Sequence, residues 1–122
     1  MDKDNNLIIG GTKDSIGGST RDLRIIKYNS SGTLLWSSTF ERPADYDHCT
    51  GICVDDSNNI YANVETYLPA YQKNIGIYKY DKNGNLRWNQ YYTGLNNSTI
   101  SSSITVDKYF NVYAGGWGSP TM

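Results

Sequence analysis

The chain has 122 residues and a formal net charge of −1, enough for one domain and too evenly charged to point to nucleic acid or an anionic membrane. Its longest apolar runs span a few residues, which excludes a membrane-spanning helix, and no basic start leads into an apolar stretch, so no signal peptide is visible. Eleven tyrosines and 12 glycines, with plentiful asparagine and serine, exclude a disordered chain and favour short strands joined by tight turns over helices.

In chain order, "MDKDNNLII" opens with a turn and leads into a strand over 7–12. "LRIIKY" and "TLLWSSTF", joined by "NSSG", predict a hairpin with strands over 23–28 and 34–40. "CTGICV" meets "IYANVE" across "DDSNN", which predicts strands over 49–54 and 60–66. "IGIYKY" and "LRWNQYY" flank "DKNG", giving strands over 75–80 and 86–92. "SSSITV" and "NVYAGGW" flank "DKYF", giving strands over 101–106 and 112–117. In each turn an asparagine or aspartate opens the bend and a glycine, where there is one, takes the positive φ near its end. Nine strands are therefore expected. In "LRIIKY", Leu23 and Ile25 point one way and Ile26 and Tyr28 the other, so the sheets bury both faces.

These phrases repeat. "KYNSSGTLLW" (27–36) returns without a gap as "KYDKNGNLRW" (79–88), an interval of 52 residues, with Ile25/Ile77, Lys27/Lys79, Tyr28/Tyr80, Gly32/Gly84, Leu34/Leu86 and Trp36/Trp88 identical. "VDDSNNIYA" (54–62) returns as "VDKYFNVYA" (106–114), and "MDKDNNLII" stands 53 residues before the middle copy. Four short strands per fixed period select a β-propeller, whose blades are four-stranded antiparallel sheets of about this length.

"NVYAGG" and "IYKYDKNGNLRW" resemble the bacterial β-propeller repeat called SBBP, and more loosely the quinoprotein repeats. The resemblance runs over nearly the whole chain. It implies that the strands ending at Asp55 and Asp107 are innermost in their blades and that the strands carrying Trp36 and Trp88 are outermost. Proteins of this kind are mostly secreted or on the bacterial surface.

On this reading, residues 1–122 are one repeat region: a partial blade over 1–48, a full blade over 49–100 and a partial blade over 101–122. That is about two and a third blades, where a closed ring takes about four to eight. Either the chain is a stretch of a longer propeller, or several copies close a ring through their blade faces.

Loops of repeat folds carry binding. Tyr67 and Tyr71, in the connection over 66–72, and Tyr46 are candidate ligand contacts. Trp117 is a fourth, because the middle copy has Glu65 in its place. The expected function is a non-enzymatic binding or scaffold module for protein or glycan. The alternative is part of a propeller enzyme, of quinoprotein dehydrogenase or lyase type, with an axial site. The inner strands "CTGICV" and "SSSITV" are small and neutral, which favours binding.

No catalytic residue, cofactor or metal site is expected. His48 is the sole histidine, and Glu41 and Glu65 the sole glutamates. Cys49 and Cys53, four apart in a strand, would share a face at about 13 Å, too far for a disulfide. Ser101 and Thr105 align with them, so the position asks for a small side chain. "DKDNN", "DDSNN" and "DKNGN" lack the ligand spacing of a calcium loop and read as Asx turns. Asn29, Asn96 and Asn97 begin glycosylation sequons that a chain of this composition produces by chance.

Overall fold

The computed structural model describes residues 1–14, 20–42, 46–68, 72–94 and 99–118. Among them are nine strands and no helix: β1 (Leu7–Asp14), β2 (Arg21–Tyr28), β3 (Leu34–Phe40), β4 (Tyr46–Val54), β5 (Ile60–Leu68), β6 (Gln72–Tyr80), β7 (Leu86–Tyr92), β8 (Thr99–Val106) and β9 (Val112–Gly118). The chain is all-β, and each expected strand is present.

The strands form three antiparallel groups. β1, β2 and β3 make one meander with β2 in the middle. β4, β5, β6 and β7 make a second, in chain order. β8 and β9 form a separate pair. Among the described residues the two meanders share a single parallel backbone pair, Arg21 with Tyr46, so side-chain packing holds them together. Paired residues point to the same side of a sheet. By that rule Ile8, Leu23, Ile25, Trp36 and Phe40 of the first meander face Ile60, Ala62, Val64, Tyr78 and Tyr80 of the second, and these residues form one core. Full burial of each large apolar side chain contributes roughly 1.5–3 kcal/mol.

Several strands begin earlier than the sequence indicates. β4 starts at Tyr46 and β6 at Gln72, before the apolar runs. Asp47 and Asn74 in these extensions are fully buried. They belong to a polar row across three strands, Asp47–Thr66–Asn74. Arg42 donates from Nη2 to Asp47 Oδ1 and to Thr66 Oγ1. Hydrophobic periodicity cannot show a strand whose buried positions are polar and paired. For the same reason the connection expected over 66–72 is shorter, with Tyr67 inside β5.

Five turns at one end follow one pattern. Asp2, Asn29, Asp55, Asp81 and Asp107 each accept, on Oδ1, the backbone N–H groups two and four residues on. These are Asx turns, in which the side chain replaces a backbone acceptor. The residue three positions on takes a positive φ: Asn5, Gly32, Asn58, Gly84 and Phe110. Phe110, at φ 67°, is the one bulky side chain there. That region costs an L-residue about 1–2 kcal/mol, less for asparagine. Phe110→Asn is therefore expected to stabilise the chain by about 1 kcal/mol, read as a higher urea midpoint at unchanged slope.

Gly84 and Gly32 separate two effects. Both have positive φ, 87° and 79°. A Cβ on Gly84 would lie 2.8 Å from the Trp36 ring, whereas one on Gly32 meets nothing within 4 Å. Gly32→Ala should cost about 1 kcal/mol from the backbone alone. Gly84→Ala should cost about 2 kcal/mol, because Trp36 must also move. Paired denaturation curves of the two variants measure the difference.

Cys49 and Cys53 do not share a face. A bulge lies at Thr50, between Cys49 and Gly51. Cys49 pairs with Val64 and Cys53 with Tyr61, which point to opposite sides of the sheet. One extra residue reverses the alternation. β8 carries the same irregularity between Ser101 and Ser103, and the Thr50 and Ser101 hydroxyls meet there at 2.6 Å. Both cysteines are free, and burial pushes both thiols up to about 11.

Candidate functional site

β8 runs alongside β4 in the same direction. Thr99 Oγ1 donates to the Lys73 carbonyl at the start of β6, Asn63 Nδ2 donates to the Ser103 carbonyl, and Val106 and Asp107 flank Val54 and Asp55. All three groups therefore share two ends. The Asx turns occupy one. The other carries the connections after β1, β3, β5 and β7, which vary between repeats.

At this second end β4 and β5 place Tyr46 opposite Tyr67. Their rings meet edge to face, with centroids 6.2 Å apart. The Arg21 guanidinium lies 5.4 Å from the Tyr46 ring, and Lys73 Nζ lies 5.2 Å from the Tyr67 ring. Lys73 also pairs with Glu65 at 3.1 Å. Tyr67 first and Glu65 second hold the ammonium above its usual range. The result is a half-exposed aromatic pair flanked by two cations. Aromatic faces of this kind stack on the apolar face of a sugar ring or on planar side chains, while the cations meet carboxylates or carbonyls.

The structure brings Tyr46 and Tyr67 together and leaves Trp117 apart. Trp117 lies near the same end of β9 and is 60% exposed. Its neighbour Gly116 faces Ile75, since a Cβ there would lie 2.7 Å from Ile75 Cδ1. Strand alternation turns Trp117 the other way, off the surface that Tyr46 and Tyr67 share. Tyr71, Asn96 and Asn97 lie outside the described residues.

Beneath the aromatic pair lies the buried row Asp47–Thr66–Asn74, closed by Arg42. The Arg42 guanidinium stacks over Phe40 at 5.7 Å and Tyr91 at 5.3 Å. Sequence reasoning missed this cluster. Its members come from four separate segments, and only the strand register brings them into line. The one available signal was the polar residues ahead of two apolar runs, Asp47 and His48 before that of β4 and Gln72, Lys73 and Asn74 before that of β6.

The Asp-rich turns are built as hydrogen-bond hubs. Asp55 accepts from Ser57 N, Asn59 N, Asn59 Nδ2 and Tyr61 Oη. Burial opposes its ionisation, but these donors outweigh it and hold the carboxyl below its usual range. Among the described residues, no group of three or more His, Cys, Asp or Glu could hold a metal ion.

Fold and site together define an all-β chain of antiparallel meanders with an aromatic, cation-flanked end. Compared with known protein families and with curated proteins, the chain matches none.

Proposed function

We propose that the chain is a stretch of β-propeller-type repeats of the SBBP kind, and that it serves as a binding or scaffold module for protein or glycan. The observation that carries this reading is the contrast between its two ends. One end repeats a single turn geometry five times. The other carries the connections that differ between repeats, with Tyr46 and Tyr67 held in register beside Arg21 and Lys73. A repeated scaffold with a variable rim is how repeat folds divide structure from recognition. The four-stranded meander β4–β7, with the tryptophan on its outer strand, supports the blade assignment. Along the strands that would line the axis, residues 49–54 of β4 and the whole of β8 offer hydroxyl, thiol and aliphatic side chains, and Asp47 at the start of β4 is taken up by Arg42, which favours binding over catalysis.

The test is a glycan array run beside a peptide array, with metal and quinone analysis of the purified chain. Binding to at least one ligand class is expected. Tyr67→Ala should weaken it about tenfold, the loss of one stacking contact of about 1–1.5 kcal/mol. Stoichiometric metal or quinone would instead favour the propeller-enzyme alternative.

A further inference from the structure

The two meanders meet through a junction with two unlike halves. The first meander contributes Trp36 and Lys27. Trp36 Nε1 donates to the Lys82 carbonyl at 3.1 Å, and Lys27 Nζ reaches the same oxygen at 3.4 Å. The second meander contributes the receiving surface: Ile60, Ala62, Tyr80 and the Gly84 turn, whose missing Cβ leaves room for the Trp36 ring.

Each half occurs a second time, uncovered among the described residues. Trp88 repeats Trp36 and is 37% exposed, with Lys79 where Lys27 stands. Leu7, Ile9, Tyr28 and Gly32 repeat Ile60, Ala62, Tyr80 and Gly84. Leu7 and Ile9 are 47% and 43% exposed, and with Tyr28 and Gly32 they line an open groove of about 650 Å³. Gly32 has the same left-handed turn as Gly84. The chain thus displays both halves of an interface that it already makes internally.

We infer that the groove at Leu7, Ile9, Tyr28 and Gly32 receives Trp88 of a second copy of this chain. The Trp88 indole N–H then donates to the Ser30 carbonyl, the counterpart of Lys82, and Lys79 reaches the same oxygen. β8 lies beside β1 of the second copy, as β4 lies beside β5. β9 gives way, because β1 takes its place. β9 is lightly held: among the described residues it pairs only with β8, and Tyr113 and Trp117 on it are largely exposed. β1 is anchored by the buried Ile8 and by the Asp2–Lys27 ion pair at 2.7 Å. A contact between unlike surfaces runs head to tail, so it builds a ring or a filament rather than a two-fold dimer. This inference rests on the repeat reading above.

The test is solution mass by light scattering over a concentration series. The wild-type chain should exceed its 13.7 kDa. Trp88→Ala and Ile9→Arg, each removing one half, should each be monomeric. Mixed together they should form a dimer and stop there, because each retains the half that the other lacks. A wild-type chain that stays monomeric, single variants that assemble like wild type, or a mixture that fails to pair would each overturn the inference. Amide and indole exchange on the same samples separates the two readings. A protected Trp36 indole N–H in a monomeric wild type keeps the repeat reading while the inference falls. An unprotected one sinks both.

Discussion

Tyr78→Ala is expected to cost about 3–5 kcal/mol, the range for emptying the site of a large buried aromatic. Tyr78 is fully buried at the centre of the junction between the meanders. Its ring meets Phe40 edge to face at 5.1 Å and Tyr91 at 6.0 Å. The loss therefore removes packing on both sides at once. The hydroxyl adds less. It meets the Tyr91 hydroxyl at 3.1 Å, and one such bond is worth about 1 kcal/mol net. Burial first, and then the Asp47 charge, push the Tyr78 phenol far above its usual range, so it stays neutral throughout. Tyr78→Phe should cost about 1 kcal/mol. If urea midpoints for the two variants fall together, the ring is not what holds the meanders.

Lys27→Met is expected to cost about 3 kcal/mol at neutral pH, because removing one partner of a buried ion pair strands the other. Lys27 Nζ lies 2.7 Å from Asp2 Oδ2, and both side chains are almost wholly enclosed. Burial opposes the charge on Asp2. Hydrogen bonds from Lys27 and Asn6 outweigh it and bring the carboxyl from 3.8 down to about 2. A carboxyl that is more acidic in the folded chain stabilises the fold above its unfolded value. That contribution is complete above about pH 5 and fades as pH falls through 3.8 towards 2. A shift of this size is worth roughly 2 kcal/mol. The wild-type chain should thus lose stability between pH 5 and pH 2. The Lys27→Met variant should lose less over that window, and Lys27→Met with Asp2→Asn should regain part of the deficit at pH 7. Urea midpoints at pH 7, 4 and 2.5 check all three. An unchanged acid profile in Lys27→Met would show that the turn hydrogen bonds alone set the Asp2 carboxyl.

Much of the fold was legible because it is written twice. The repeat at Trp36 and Trp88 set the strand count, and the Asx residues at each turn marked where strands end. What escaped was whatever depends on register between strands. The bulge at Thr50 turns Cys49 and Cys53 to opposite faces, and nothing in "HCTGIC" announces an extra residue. Asp47 and Asn74 read as loop because a buried carboxylate needs Arg42, and that pairing appears only once the strands are aligned. Of the candidate site, Tyr46 and Tyr67 were found as loop aromatics, but their pairing belongs to two strands. Trp117 was found by its departure from the repeat, yet alternation sends it elsewhere.

The single backbone pair between Arg21 and Tyr46 has a consequence for how the molecule comes apart. With so little shared hydrogen bonding, each meander senses only the one pressed against it. Unfolding then follows the logic of a one-dimensional lattice, where stability is a sum of unit and nearest-neighbour terms. Protection against amide exchange should be greatest in β5 and β6, which have neighbours on both sides, and should decline in steps towards β3 and β9. Fraying begins at the outermost strands, β3 and β9, and reaches β5 and β6 last.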